Sequence, residues 1–141
     1  MIMLSRKEIE NALTRWYRAW NEHDLDGVMD LFHEDIVFEN WNGATVWGRD
    51  NLRRAWASWF AEHGGFSFTG EGTIIDETGQ SALYRWKLEW PSPETEFKGR
   101  RETRHGVDVL IFKNGKIHEK LTYTKTFIEI DGKRVGLLPG E

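Results

Sequence analysis

The chain has 141 residues, of which 39% are hydrophobic and 30% charged, and its formal net charge at pH 7 is −4. That length predicts a single domain over residues 1–141, and the acidic balance argues against nucleic acid as a partner, because a phosphate backbone requires a basic surface. The chain has no cysteine, which excludes disulfides, thiolate catalysis and cysteine-ligated zinc.

Aromatic content is the unusual part of the composition. Eight Trp and eight Phe in so short a chain indicate either bulky core packing or an aromatic-lined cavity. No apolar run approaches ~18 residues, and the first residues become charged too early for a signal peptide. We therefore expect a cytoplasmic protein that does not enter a membrane.

The first half of the sequence predicts three helices. An S-x-x-E capping box at 5–8 begins the first, and apolar residues then recur at helical spacing as far as Trp20. Asp24 is placed to cap a second, short helix. A third helix is predicted over about 50–63, where Gly64-Gly65 ends it.

Strands dominate the rest of the chain. Residues 36–40 have β-branched and aromatic character, and residues 82–90 alternate apolar and polar side chains with period two. Two further strands, 107–112 and 117–127, are joined by a hairpin turn with the favoured pair Asn114-Gly115. Helices followed by a run of such strands predict an α+β domain.

Three segments of the chain resemble the SnoaL-like and ketosteroid isomerase-like group of the NTF2-like superfamily. They are W-N-E-H-D-L-D-G-V-M-D-L-F-H-E-D-I-V-F-E-N-W-N-G, W-G-R-D-N-L-R and H-G-V-D-V-L-I-F-K-N-G-K-I. The resemblance spans almost the whole chain. It implies an NTF2-like (cystatin-like) cone, with three N-terminal helices packed on a curved antiparallel sheet around an apolar pocket. It also implies a homodimer that pairs through the sheet.

Asp108 is the strongest candidate for chemistry. It lies in the otherwise apolar segment 107–112, and desolvation there disfavours the ionised form of a carboxyl group. Its position matches the oxyanion-hole aspartic acid of ketosteroid isomerases, so the resemblance implies a general acid or a donor to a ligand carbonyl. The alternative is a structural ion pair with Arg85, Lys87 or Arg104.

Asn40 departs from the isomerase pattern. It occupies the position of the catalytic aspartate base of the isomerases, and an amide cannot take a proton at neutral pH. Trp16 stands where the isomerases carry a tyrosine donor, and an indole N–H donates a hydrogen bond but does not act as an acid. True ketosteroid isomerase activity is therefore disfavoured. The remaining pattern resembles the broader SnoaL-like group, which is linked to ring-closing aldol chemistry on polyketides.

A base partner for Asp108 could be a histidine, because imidazole titrates near neutral pH. His63 is the better candidate, since we expect it at the inward edge of the third helix. The alternative is that His63 only caps the helix end beside Gly64-Gly65. His105 is expected on the strand face opposite Asp108, which makes it the weaker candidate.

The predicted cavity suits flat, conjugated ring compounds, which stack against aromatic walls. Its proposed ligand-binding residues are Trp16, Tyr17, Trp20, Phe38, Asn40, Trp56, Trp59 and Tyr123. The five histidines lack metal-ligand spacing, and no phosphate-binding glycine loop is present, so we expect neither a metal nor another cofactor.

Three functions remain open from the sequence. The first is a small-molecule enzyme of cyclase, isomerase or lyase type that works by acid catalysis on an apolar substrate, polycyclic ones included. The second is a binding module that holds a small apolar or aromatic molecule without turning it over. The third is an interaction module whose tryptophans are all packed in the core.

Overall fold

Three helices pack on a seven-stranded sheet in the computed structural model, which describes residues 2–137. The helices are α1 (Arg6–Asn21), α2 (Leu25–Met29) and α3 (Arg49–Ala61), and a short 3-10 turn covers Thr95–Phe97. The strands are β1 (Phe32–Glu39), β2 (Thr45–Trp47), β3 (Ser67–Asp76), β4 (Ser81–Pro91), β5 (Arg101–Lys113), β6 (Lys116–Ile130) and β7 (Lys133–Gly136). Within residues 2–137, no helix is long and apolar enough to cross a membrane.

The helix starts follow the capping signals in the sequence. The Ser5 hydroxyl accepts a hydrogen bond from the backbone N–H of Glu8 at 3.1 Å, and the Glu8 carboxylate accepts one from the N–H of Ser5 at 2.9 Å. Asp24 caps α2 by accepting from the N–H of Gly27 at 3.0 Å. These caps fix where α1 and α2 begin, and α1 then presents its aromatic stripe to the sheet.

The sheet order is β2-β1-β6-β5-β4-β3, with β7 added on β6. Strands β3 to β6 form successive antiparallel pairs, as the sequence predicts. The sheet is nevertheless mixed, because β1 lies parallel to β6. A hairpin forces its two strands to be antiparallel, whereas β1 and β6 are joined by a long connection through α3 and four strands, which leaves the parallel direction available.

A bulge in β6 decides which of its side chains face the helices. The register between β5 and β6 shifts by one residue near His118, so that Ile117 opposes Phe112 while Glu119 opposes Ile111. An extra residue of this kind reverses the inward and outward alternation beyond it. As a result Lys120 and Thr122 are buried on the helix-facing side.

Candidate functional site

A cavity of about 240 Å³ lies between the helices and the inner face of the sheet. Most of the predicted site residues line it: Trp16, Tyr17, Trp20, Phe38, Asn40, Trp56, Trp59 and Asp108. The cavity wall is mainly indole and phenyl rings, in edge-to-face contacts such as Trp20–Trp56 at 5.1 Å and Phe38–Trp56 at 5.1 Å between ring centroids. Not all tryptophans are therefore consumed by core packing.

The sequence interpretation missed several lining residues. Tyr84, Trp86 and Trp90 of β4 belong to the cavity wall, as do Lys120 and Thr122 of β6. The period-two pattern of β4 already placed its aromatic residues on one face, so that signal could have identified them. The two β6 residues carried no such signal, because their inward direction depends on the bulge at His118.

Asp108 sits on the inner face of β5 and is only 4% exposed. Its Oδ1 atom lies 2.9 Å from Nζ of Lys120 and accepts a hydrogen bond from the hydroxyl of Thr122 at 2.7 Å. Lys120 also donates to the Thr122 hydroxyl, at 2.6 Å. The strand register explains the cluster, because Asp108 opposes Thr122 directly and Leu110, the next inward residue of β5, opposes Lys120.

This ion pair overturns the expected surroundings of Asp108. The sequence predicted either a lone un-ionised carboxyl group or a pair with Arg85, Lys87 or Arg104, and the partner is Lys120 instead. The three proposed partners make other contacts: Arg85 donates to the carbonyl of residue 71, Lys87 pairs with residue 89, and Arg104 pairs with residue 102. The ammonium group of Lys120 therefore lies directly against one oxygen of the Asp108 carboxylate.

Lys120 is itself enclosed by rings. Its Nζ atom lies 4.8 Å from the ring centroid of Phe38 and 6.0 Å from those of Trp16 and Trp20, within the range of cation–π attraction. The ammonium group carries three hydrogens, and Asp108 and Thr122 accept two of them. One donor of Lys120 therefore remains for a bound molecule.

Tyr84 lies directly opposite Asp108 in the β4–β5 register. Burial raises the pKa of its hydroxyl well above the usual 10.0, and the nearby Tyr17 and Asp108 raise it further. The hydroxyl therefore stays protonated at neutral pH and can donate a hydrogen bond. Gly70 has no side chain and so leaves room for the Tyr84 hydroxyl, because a Cβ atom there would lie 3.2 Å from the hydroxyl oxygen.

Three buried donors of the cavity wall lack acceptors. Among residues 2–137, none accepts a hydrogen bond from Nε1 of Trp20, the hydroxyl of Tyr84 or Nε1 of Trp86. The Trp86 ring packs closely against β5 at Gly106, where a Cβ atom would lie only 2.5 Å from the ring. Native proteins leave few buried polar groups unpaired, so a group of three around one cavity calls for an explanation.

Trp41 and Trp90 form another part of the cavity wall, and a buried ion pair supports them. The Arg104 guanidinium lies 4.8 Å from the Trp41 ring centroid and donates to the Glu102 carboxylate at 2.9 and 3.0 Å. Ser92 and the Trp90 indole N–H donate to the same carboxylate. All of these contacts fix the two indoles at the cavity wall.

Asn40 lines the cavity where β1 ends. Its side-chain oxygen accepts a hydrogen bond from the backbone N–H of Trp41 at 2.8 Å, which uses the amide to shape the following turn. With an amide at position 40, Asp108 is the only carboxylate among the residues that line the cavity in the described chain.

Two predicted site residues lie outside the cavity. Helix α3 ends at Ala61, so His63 falls beyond it, stacks on His23 at 3.7 Å between ring centroids and accepts from the N–H of Gly65 at 2.9 Å. A role of His63 in ordering the helix end, the alternative, agrees with these contacts. Tyr123 is 51% exposed on the other face of the sheet, because the bulge in β6 reverses its direction.

His105 lies on that outer face as well, as expected. Its ring contacts Glu129 at 2.8 Å and Glu71 at 3.6 Å. It is not among the lining residues of the cavity. Neither histidine considered as a base partner therefore reaches Asp108, and Lys120 and Thr122 hold that position.

Comparison with known proteins agrees with this architecture. A family model for the SnoaL-like domain matches residues 13–120. No curated protein matches the chain.

Solved structures match over most of the chain. One is the epoxide hydrolase/cyclase-like enzyme SalBIII, described in pyran ring formation in the polyether salinomycin, with a TM-score of 0.73, 20% identity and coverage of 89% of this chain and 96% of SalBIII. An NTF2-like protein of unknown function from Mesorhizobium loti has a TM-score of 0.68 and 23% identity over 88% of this chain and 99% of that one. A protein with a cystatin-like fold from Methylobium petroleophilum PM1 has a TM-score of 0.68 and 20% identity over 87% and 79%. These similarities confirm the predicted α+β cone.

Proposed function

Since the chain belongs to the SnoaL-like domain family of the NTF2-like superfamily, we propose that it is an enzyme that transfers protons on a small apolar ring compound bound in the aromatic cavity. Asp108 is the proton-transferring group. Lys120 and Thr122 position it, and Tyr84 supplies a neighbouring donor.

The observation that carries the proposal is the asymmetric bonding of the Asp108 carboxylate. Both of its contacts, from Lys120 and Thr122, go to Oδ1. Oδ2 receives no hydrogen bond from residues 2–137, and the side chain lines the cavity. A carboxylate held on one oxygen and free on the other is suited to take a proton from a bound molecule and return it.

The proton path needs no cofactor. Asp108 Oδ2 takes a proton from a carbon next to a substrate carbonyl, the C–H electron pair moves into the new carbon–carbon double bond, and negative charge develops on the carbonyl oxygen. The remaining N–H of Lys120 and the Tyr84 hydroxyl are donors in the same cavity that can stabilise that charge. The Asp108 carboxyl group then returns the proton to a different carbon of the conjugated substrate or to the oxygen, which gives isomerisation. Alternatively, the enolate attacks a second carbonyl within the substrate, which closes a ring, and the Asp108 carboxyl group gives its proton to the alkoxide that forms there.

Cavity size restricts the substrate. Ligand pockets for drug-sized molecules usually enclose roughly 300–1,000 Å³, and this cavity encloses about 240 Å³. We therefore propose a substrate with one or two rings, smaller than the polycyclic molecules that the sequence interpretation included. Pyran ring formation, the process in which SalBIII is described, is also ring chemistry.

Hydrogen–deuterium exchange tests the proposal with a defined probe. In deuterated buffer, NMR follows the loss of the hydrogens next to the carbonyl of 1-indanone, a two-ring ketone. We expect the wild-type protein to accelerate the exchange and Asp108→Asn to reduce that acceleration about 10²- to 10⁴-fold, the usual contribution of general acid–base catalysis. Asp35→Asn is the matched control, because Asp35 is an exposed carboxylate outside the cavity.

The proposal fails if Asp108→Asn, folded as judged by circular dichroism, exchanges the probe as fast as the wild type. Binding of the ketone without any acceleration by the wild-type protein would favour the alternative function, a non-catalytic binding module of the same fold. That alternative is supported by the amide at Asn40, which removes the base position of the isomerases.

A homodimer remains part of the proposal. Ile74, Leu83 and Tyr123 are exposed apolar side chains on the outer face of the sheet, the face that the family resemblance assigns to pairing. Sedimentation of the wild-type protein and of Tyr123→Asp measures the association, and a wild-type protein that stays monomeric at high micromolar concentration would refute it.

A further inference from the structure

The unpaired donors of the cavity describe the molecule that it recognises. Trp20 and Tyr84 are 7% exposed and Trp86 is 2% exposed, and none of their side-chain donors has an acceptor within residues 2–137. All three side chains line the cavity. Each donor gives up its hydrogen bond to water on folding and gains no partner, so each favours a ligand that brings an acceptor.

Donors outnumber acceptors among the polar groups that remain available. Lys120 has one hydrogen left, which adds a fourth donor to those of Trp20, Tyr84 and Trp86. On the acceptor side, Asp108 Oδ2 is available, whereas Oδ1 is already used. A complementary ligand therefore carries several acceptor oxygens and one hydrogen that it can give to Asp108.

The positions of the donors indicate how the acceptors are arranged. Tyr84 and Trp86 are alternate residues on the inner face of β4, about 7 Å apart along the strand. Asp108 opposes Tyr84, and Gly106 opposes Trp86. A flat ring system lying along β4 can thus present one oxygen near each donor and turn a neighbouring hydrogen towards Asp108.

We infer that the cavity selects compact two-ring compounds that carry at least two carbonyl-type oxygens flanking an acidic C–H or O–H group, over the bare hydrocarbon and over amines of the same skeleton. This inference rests on the proposed cavity but not on turnover. The donor atoms themselves are buried, so binding requires small movements of the cavity wall that expose them.

A series of ligands with one skeleton tests the inference. Isothermal titration calorimetry compares indane, 1-indanone, indane-1,3-dione and 2-aminoindane on the wild-type protein. We expect affinity to rise roughly three- to tenfold with each carbonyl, the usual effect of one hydrogen bond. The amine, an ammonium ion at neutral pH, should bind no better than indane, because Lys120 beside Asp108 repels a second cation and the amine brings no acceptor for the unpaired donors.

Two variants connect the preference to named groups. Tyr84→Phe removes one donor and keeps the ring, so it should reduce the ratio of dione to indane affinity roughly three- to tenfold while indane affinity is retained. Trp47→Phe is the control, because Trp47 is 65% exposed and lies outside the cavity; it should leave the ratio unchanged.

Equal affinities along the series, or an unchanged ratio in Tyr84→Phe, would overturn the inference. These results are independent of the exchange assay. A dione preference without Asp108-dependent exchange would retain the ligand class and reject the enzyme, whereas Asp108-dependent exchange without that preference would retain the enzyme and reject the ligand class.

Discussion

Tyr84→Phe should make the ligand-free protein more stable, which is the opposite of what most core substitutions do. The Tyr84 hydroxyl is buried and has no hydrogen-bond acceptor within residues 2–137. In the unfolded chain the same hydroxyl bonds to water. Folding therefore loses that bond without replacing it, and phenylalanine removes the loss while the ring and its contacts remain.

The expected gain follows from the cost of an unpaired buried group, about 1–3 kcal/mol. The deleted oxygen leaves a small void beside Gly70, which offsets part of the gain. We therefore expect the free energy of unfolding to rise by about 1–2 kcal/mol. For a chain of this size that corresponds to roughly 3–7 °C in the melting temperature.

Urea denaturation and calorimetry measure the change at neutral pH without ligand. Tyr123→Phe is the matched control, because that tyrosine is 51% exposed within one chain; at a protein concentration low enough to exclude association, its free energy of unfolding should change by less than about 0.5 kcal/mol. If Tyr84→Phe lowers the stability by 1 kcal/mol or more, the hydroxyl has a partner in the folded protein and both the unpaired donor and the ligand class derived from it are wrong.

Three further results are expected. Folding raises the pKa of Tyr84, so the hydroxyl ionises at lower pH in the unfolded chain than in the folded one. The stability of the wild type should therefore fall by up to about 1.4 kcal/mol per pH unit above pH 10, relative to Tyr84→Phe. Parallel pH profiles of the two proteins in urea denaturation would contradict this. Lys120→Met leaves the Asp108 carboxylate buried without its cation and should lower the free energy of unfolding by about 3–5 kcal/mol. The double variant Lys120→Met/Asp108→Asn should recover part of that loss. Equal urea midpoints for the single and double variants would show that the pair is not coupled. Gly106→Ala forces the Trp86 ring to move, so it should lower the free energy of unfolding by about 1–3 kcal/mol and weaken the binding of 1-indanone. Unchanged urea and binding titrations would show that the ring has free space.

Local signals in the sequence were sufficient for the helix starts and for the strand faces without irregularities. The caps at Ser5 and Asp24 act within three residues, and both are present. The alternation in β4 likewise places Tyr84 and Trp86 on one face. Such patterns depend on neighbours along the chain, so they can be read without knowledge of the tertiary structure.

The failures in β5 and β6 arise where a pairing between distant segments decides the outcome. The bulge at His118 is a property of the β5–β6 register, and it turned Tyr123 outward and Lys120 inward. The partner of Asp108 could not be identified for the same reason. His63 was placed inside because α3 was extended by two residues, and helix ends are the least certain part of such a pattern.

The Asp108–Lys120 pair resolves a conflict that the sequence interpretation left open. A carboxyl group must be ionised to accept a proton, whereas a wall of aromatic rings disfavours an isolated charge. Lys120 supplies the opposite charge at 2.9 Å, and the rings of Phe38, Trp16 and Trp20 attract its ammonium group. The aromatic wall therefore stabilises the ammonium group of Lys120, and that ammonium group stabilises the Asp108 carboxylate. The carboxylate keeps one oxygen free for a ligand. If the wall rather than the solvent stabilises Lys120, Phe38→Leu should destabilise the wild-type protein more than it destabilises the Lys120→Met variant.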